Sequence, residues 1–497
     1  MFFRGRIHPK LDATSIDFSP CNRFKPWGNQ TGGKPVRLRK LQLENFRCFD
    51  QLEVELHPQL TVLVAENGQG KSTVLDAVRI ALWPYVSSFD LAKNAFSDPG
   101  NGIAIDDVRL LKLGSGDMAR QLPARISMTG AFDSTTEKTW IRYRDKEARA
   151  TKTKDEGDTA FMKQWAGAVQ AEIRNPDKPA LDLPVFGYYG TGRLWAQKRL
   201  TETLKGKDDT QAADFYMRTF AYLNCLDPAS SYKHFKEWFI WAFQSYREQQ
   251  IKLLEKRSTG EDLSTAQQRI QVVQQAIDSF LQPTTGWHSL EYSVSHENSL
   301  VLQHDFHGTL EVDLLSDGIR SVLAMIGDIA YRCIKLNPHL GVEAARLSCG
   351  VVLIDEVDMH LHPHWQQLIL GQLLQAFPCV QFIVTTHSPQ VLSSVRRECI
   401  RTLGRNAQGQ FTAEVPLARS YGELSSDVLE TIMLVDPYPP IAEREDLRHL
   451  TELVDQGQYQ HNEAKNLFIQ LTHRLGENHP AILRLQRSIK RQEALKG

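Results

Sequence analysis

Residues 60–83 read LTVLVAENGQGKSTVLDAVRIALW. The opening LTVLVA is an almost unbroken apolar run, which suits a strand covered on both faces in a parallel sheet. After it, Val74, Leu75, Val78, Leu82 and Trp83 recur at helical spacing. The connecting stretch Ala65-Glu66-Asn67-Gly68-Gln69-Gly70-Lys71-Ser72-Thr73 has the pattern and the strand-to-helix setting of a phosphate-binding P-loop. Gly68 and Gly70 let the backbone curl so that successive amides point inward, where they and the positive helix end hold phosphates. Lys71 would reach the β- and γ-phosphates of ATP, and the Ser72 hydroxyl would ligate Mg2+. Ala65 stands where the pattern has glycine, and its small side chain is expected to be accommodated.

The second half supplies matching parts. Val351-Val352-Leu353-Ile354-Asp355-Glu356 is an apolar strand ending in adjacent carboxylates. Asp355 can there hold magnesium through water while Glu356 faces the attacking water as general base. Taken alone, the same pattern describes a buried strand with its acidic residues at a solvated end. His387 follows the strand VQFIVTT, thirty-one residues after Glu356; a lone histidine there is usually structural, but one parallel-strand spacing after the acidic motif it is expected to hydrogen-bond a transferring phosphoryl group. Leu315-Ser316-Asp317-Gly318-Ile319-Arg320-Ser321 opens a further helix, so its amides and the Ser316 hydroxyl form an anion-binding terminus. Helix capping by itself would also explain Ser316 and Asp317.

Working outward, LRKLQLENF and LEVEL alternate as half-buried strands, and ARISMTGAF with KTWIRYR reads as a hairpin around Ser134, Thr135 and Thr136. TKTKDEGD reads as a solvated loop. KHFKEWFIWAFQSYREQQIKLLEK and AQQRIQVVQQAIDSFL read as helices of an insert, and SLEYSV and SLVLQH as strands. From Ala442 three amphipathic segments follow, one with Ala464, Leu467, Phe468, Leu471 and Leu475 on a single face, and Gly457 and Gly476 suit helix ends. The expected division is an extension over 1–35, an N-lobe over 36–208, a helical insert over 209–285, a C-lobe over 286–420 and a helical tail over 421–497. The fold class is α/β, with a mixed or parallel sheet.

At 497 residues, 41% apolar and 24% charged, the chain has the proportions of a folded protein rather than a disordered or fibrous one. Lys and Arg number 58 against 59 for Asp and Glu, so no whole-protein field draws in a polyanion and any such site is local. The seven cysteines, Cys21, Cys48, Cys225, Cys333, Cys349, Cys379 and Cys399, are scattered without a CxxC, which argues against a disulfide framework and for the cytoplasm. Arg4 interrupts any signal-peptide core, and no apolar run approaches the roughly 18 residues of a membrane span, so no membrane partner is expected.

The ordered set ENFRCFDQLEVEL, AENGQGKST, LLSDGIRS, VVLIDEVDMHLHP and TTHSP resembles the ABC-type ATPases of the SMC, RecF and OLD-like branch, over about residues 38–90 and 309–405. The resemblance implies an ABC-type P-loop head, ATP and Mg2+ as cofactors, and a homodimer or higher homo-oligomer closed by ATP. In it, Ser316 and Gly318 of one copy cover nucleotide held by Glu66 to Thr73 of another. The signature here is LSDGI rather than LSGGQ, and no Q-loop residue is carried over. More narrowly, LPVFGYYGTGRLW (183–195), EVDMHLHPHWQ and the tail look like the ATPase subunits of the Septu anti-phage system (PtuA), also found with some retrons. That likeness implies a regulatory ATPase controlling a partner HNH endonuclease (PtuB-like). The alternative is a RecF- or SMC-like DNA-binding repair ATPase, although the insert of about 75 residues is short beside SMC arms. A transporter subunit is disfavoured by the roughly 240 residues between Lys71 and Ser316, and a nuclease in this chain by the lack of a DxD-type cluster after His387.

Three secondary features remain. His360, His362 and His364 alternate at the start of a helix without acidic or cysteine partners, so packing or capping is the expected role. Gly187, Gly190 and Gly192 end a strand in a tight turn rather than forming a dinucleotide fingerprint, with Arg193 a candidate phosphate contact. The basic runs RYRDKEARATKTK, RLWAQKRLTETLKGK, VRRECIRTLGR and RLQRSIKRQ leave nucleic acid open as a partner.

Overall fold

The computed structural model describes residues 36–92, 101–192, 216–255, 260–436 and 440–496, apart from 115, 133–135, 150, 179 and 229–230. The expected extension over 1–35, the hairpin tip at Ser134 and Thr135, and Arg193 with its basic run lie outside these residues. The chain divides into two compact units, one reaching Val428 and one beginning at Leu429.

In chain order, the elements that position the first unit are β1 (Arg37–Phe46), β2 (Phe49–Glu55), β3 (Leu60–Val64), α1 (Lys71–Val86), β4 (Leu110–Lys112), β5 (Met118–Arg120), β6 (Ala124–Ala131), β7 (Lys138–Arg144), β8 (Lys154–Gly157) and α2 (Thr159–Ile173). There follow β9 (Val185–Tyr189), α3 (Ser231–Leu254), α4 (Gly260–Thr285), β10 (Trp287–Ser293), β11 (Ser299–His304), β12 (Gly308–Glu311), α5 (Asp317–Leu336) and β13 (Gly350–Ile354). The last are α6 (Pro363–Ala376), β14 (Val380–Thr385), α7 (Pro389–Ser393), β15 (Ile400–Arg405) and β16 (Phe411–Glu414).

A six-stranded sheet in the order β16-β15-β3-β14-β13-β9 forms the core. Its pairs are parallel except for β16 at the edge. Every residue of β3, β9, β13 and β14 is buried, as short apolar runs between helical layers require. A second sheet, β2-β1-β6-β7-β8, is wholly antiparallel. Its β6 alternates buried and half-buried residues along its length, the pattern of a strand with one covered face. The chain turns between β1 and β2 through Asn45 and Arg47, both at φ 51°. The long helices α3 and α4 pack on each other and on α5, and β10 to β12 form an antiparallel meander beside α4.

Two stretches depart from the sequence reading. TKTKDEGD, expected as a loop, supplies the exposed edge strand β8 on β7. Asp155 ties it down by ion pairs with Arg142 and Lys163, and its charges guard the open edge. Helix α2 was not expected from the sequence because it buries only Thr159, Met162 and Ala166, too few to show a period.

The second unit holds α8 (Arg444–Asp455), α9 (Asn462–Leu475) and α10 (Pro480–Lys496). Leu447, Leu450, Val454, Ala464, Leu471 and Ile482 form its core, with Leu467, Phe468 and Leu475 packed against them. Gly457 and Gly476 adopt φ 75° and 91° just past helix ends, where a side chain would be strained. No described helix is long and apolar enough to cross a membrane.

Candidate nucleotide site

Helix α1 starts at Lys71, capped by Gly70 at φ 90° and ψ 19°, with Gly68 at φ 80°. A Cβ on Gly70 would also lie 2.4 Å from Cζ of Phe49 and 2.8 Å from Sγ of Cys48, so the β1–β2 turn presses on the loop. Glu66, Asn67, Gly68 and Ser72 are exposed, Gln69 is half-buried, and Thr73 is buried. Lys71 is only 7% exposed, and its Nζ donates to the carbonyls of Ala65 (2.9 Å) and Glu66 (3.1 Å). Burial lowers the Lys71 pKa, opposed by the negative charges of Asp355, Glu356 and Asp358. The P-loop lysine therefore sits in the field of three carboxylates that lie about 290 residues away in sequence.

Strand register explains this convergence. Leu63 of β3 pairs with Thr385 of β14, and Val384 pairs with Ile354 of β13. The P-loop, the acidic pair and His387 thus leave the same edge of three neighbouring parallel strands, the edge where open α/β sheets bind ligands. Asp355 is 6% exposed, its N–H donating to the Tyr189 carbonyl at 2.8 Å. The Thr385 hydroxyl donates to Asp355 Oδ1 (2.6 Å) and accepts from the Glu356 N–H (2.7 Å). Glu356 is half-buried at φ 46°, a left-handed conformation that turns the chain sharply after the strand. The Thr386 hydroxyl donates to Asp358 Oδ1 at 2.5 Å, and His387 beside it is half-buried.

Ser316 and Gly318 gather elsewhere. Ser316 is exposed and caps α5, its hydroxyl accepting from the Ile319 N–H at 3.5 Å. A Cβ on Gly318 would lie 2.7 Å from the His360 carbonyl, so the signature turn packs on the loop that follows Glu356. Among the described residues no hydrogen bond joins Ser316 or Gly318 to the P-loop. His362 caps α6, accepting from the His364 N–H at 3.3 Å.

Thr385, Thr386 and Arg47 escaped the sequence reading, as did the place of strand β9 beside β13, although its glycine turn was expected. Thr385 and Thr386 hold Asp355 and Asp358, and the only signal was their place in TTHSP beside His387. Arg47, inside ENFRCF, bridges Asp76 of α1 (2.6 Å) and Asp107 (2.8 Å) and fixes the turn against the P-loop. Strand β9 lies next to β13, which brings Gly190 to the same edge; a Cβ there would fall 2.5 Å from Pro228, so the tight turn requires glycine. Two basic runs each turn part of their charge inward, through Arg142, Arg144 and Arg401, while Lys146, Arg149, Lys152, Arg396, Arg397 and Arg405 stay exposed. Arg142 donates to the carbonyls of Ile80 and Asn101, Arg144 to Ile103, Ala148 and Thr151, and Arg401 to Glu55, Glu398 and Ile400. Arg484, Arg487, Lys490 and Arg491 on α10 are exposed as well.

An AAA-domain family model matches residues 40–282, and a second AAA-domain model, whose description adds AbiEii toxin and Type IV TA system, matches 232–393. The "Retron Vc95 probable ATPase" of Vibrio cholerae is 25% identical over 88% of this chain and 87% of its own length. The "Retron Ec83 probable ATPase" of Escherichia coli is 27% identical over 93% of this chain and 88% of its own. The Septu protein PtuA of Bacillus mycoides is 31% identical, over 31% of this chain and 21% of its own. Among solved structures, an Smc head bound to the C-winged helix domain of ScpA aligns with 76% of this chain and 97% of that one, at TM-score 0.44 and 13% identity.

Proposed function

We propose that this chain, an SMC/RecF/OLD-like ATPase, is the ATP-driven switch subunit of an anti-phage defence system, and that nucleotide-dependent pairing of two copies controls a partner HNH endonuclease. The observation that carries the reading is the convergence of Asp355, Glu356 and Asp358 on Lys71. The P-loop amides from Glu66 to Thr73 and the Lys71 ammonium hold the phosphates. Ser72 and Asp355 suit Mg2+, since one is an exposed hydroxyl next to Lys71 and the other a carboxylate fixed by Thr385. Held there, Mg2+ would supply charge neutralisation for the phosphoryl group. Glu356 takes the proton of the attacking water, and His387 hydrogen-bonds the transferring group.

Ser316 and Gly318 complete the site of a second copy, so a symmetric pair makes two composite sites. The exposure of Ser316 supports this, because a residue serving its own P-loop would be turned toward it. Kinship with retron ATPases along nearly the whole chain, and with Septu PtuA along part of it, supports the defence role in the cytoplasm. The DNA-binding alternative draws on the basic face of Arg484, Arg487, Lys490 and Arg491.

Mixing separates the readings. Lys71→Ala cannot hold nucleotide and Ser316→Arg cannot cover it, so each alone is inactive, while mixed dimers regain one intact composite site and hydrolyse ATP. No recovery at any ratio rejects pairing in trans. Co-purification with an HNH protein encoded beside it supports the defence role, and tight ATP-dependent DNA binding by the isolated chain supports the alternative.

A further inference from the structure

Cys349 and Cys379 immediately precede Gly350 and Val380, which pair in register on the adjacent parallel strands β13 and β14. Residues facing one another across neighbouring strands lie about 4.8 Å apart, inside the roughly 4.4–6.8 Å Cα separation that a disulfide spans. Both residues stand one position before the strands, Cys379 in the turn that leads into β14, and their thiols are close enough to interact directly. The backbone here is held firmly. The Cys349 carbonyl accepts from Val185 at 2.8 Å, and Asn337 donates to Ser348 (2.9 Å) and to the Leu183 carbonyl (3.0 Å). Both cysteines are half-buried, whereas Cys225, Cys333 and Cys399 are buried. Among the described residues no group of three or more His, Cys, Asp or Glu side chains is arranged to hold a metal, so this is a pair of thiols without further ligands.

We propose that Cys349 and Cys379 form a reversible intrachain disulfide, a hydroperoxide-sensitive modification site at the sheet edge opposite the nucleotide residues. Cys379 is the attacking thiol. The adjacent Cys349 thiol holds its pKa below the usual range, assisted by Arg37 and Arg346, whereas the Cys379 neighbour together with burial pushes Cys349 up, its own S–H donating to the Leu347 carbonyl at 3.8 Å. Burial instead raises Cys48, the other half-buried thiol among the described residues. The Cys379 thiolate attacks one peroxide oxygen, the O–O bond breaks, and a sulfenic acid and hydroxide result. The Cys349 sulfur then displaces that oxygen: the S–S bond forms, the S–O bond breaks, and the thiol proton leaves in water. Two electrons pass from the thiols to the peroxide, and a small dithiol returns them by exchange.

The disulfide would tie together the starts of two strands whose far ends, about 20 Å away, carry Asp355, Glu356 and His387. Selective use of such a pair fits a reducing cytoplasm, where disulfides are transient and redox-sensing rather than structural.

The test is peptide mapping of the reduced full-length chain during exposure to hydrogen peroxide. A linked Cys349–Cys379 peptide is expected before oxidation of Cys21 or Cys48, and dithiothreitol should reverse it. Cys349→Ser should leave a dimedone-trappable sulfenic acid on Cys379, and Cys379→Ser should slow oxidation of Cys349 about tenfold or more. Oxidation of Cys48 at the same rate without the linked peptide, or a disulfide to another cysteine, overturns the proposal. The wild-type map decides the matter even if a variant misfolds, and it needs no nucleotide, so it stands apart from the ATPase reading.

Discussion

Replacing Thr385 by Val tests the site at its most constrained point. The two side chains are close in shape, and Thr385 is fully buried in β14, where a β-branched residue is at home. Val removes one hydroxyl that makes two contacts, the 2.6 Å bond to Asp355 and the 2.7 Å bond from the Glu356 amide. Losing a hydrogen bond to a charged acceptor costs about 1.5–3 kcal/mol, and the half-buried Glu356 amide, which water reaches in part, adds about 0.5–1 kcal/mol. The nucleotide-free chain should therefore lose about 2–4 kcal/mol of stability, a large share of the margin of an ordinary domain. The freed Asp355 should also raise the Mg2+ concentration needed for turnover about 10–100-fold, as loss of an orienting partner does at metal sites. Urea unfolding reads the first effect, and ATPase rate against Mg2+ concentration reads the second. Thr385→Ser, which keeps the hydroxyl, should recover most of both. A Val variant that unfolds at the wild-type urea concentration and keeps the wild-type Mg2+ dependence would refute the reasoning.

Glu356→Gln should preserve ATP-induced thermal protection while slowing turnover by orders of magnitude, as loss of a general base does; normal turnover would assign the proton transfer elsewhere. Gly318→Ala forces a Cβ to within 2.7 Å of the His360 carbonyl. It should cost about 1–3 kcal/mol and abolish ATP-dependent dimerisation of a Glu356→Gln background in light scattering. Lys335 is 9% exposed, and burial, with the nearby Arg269 charge, lowers its pKa to about 7. The folded state then binds fewer protons than the unfolded one between pH 7 and about 10.5, so stability rises with pH across that window. Lys335→Met should stabilise the chain at pH 7 and below, because every tenfold loss of proton affinity on folding costs about 1.4 kcal/mol. The gain, read by urea unfolding, should fade toward pH 10; an equal gain at both ends would reject the burial penalty.

What could be read early has a common character. The P-loop, the strand Val351–Ile354 with its acidic end, and the capped start of α5 are each written in fewer than about ten consecutive residues, so local chemistry and period suffice. The three tail helices were legible for the same reason: Leu447, Leu450, Leu471 and Ile482 fall on single helical faces. Helix α2 was not, because only Thr159, Met162 and Ala166 are buried along its length. Three arginines within the basic runs misled in another way. Arg142, Arg144 and Arg401 look like a polyanion surface in sequence but spend their donors on backbone carbonyls inside the fold, and only burial distinguishes the two uses.

The sequence by itself determined that a phosphate-binding turn, an acidic strand end and a helix-terminal signature exist, because each depends on neighbours along the chain. Tertiary structure alone decided which of them meet. The order β3-β14-β13 sets Lys71 against Asp355, makes Thr385 the support of two residues at once, and seats Gly318 on His360 instead of on the P-loop. These are contacts between side chains and backbone from separate strands and turns, made by strand register and close packing rather than by local spacing.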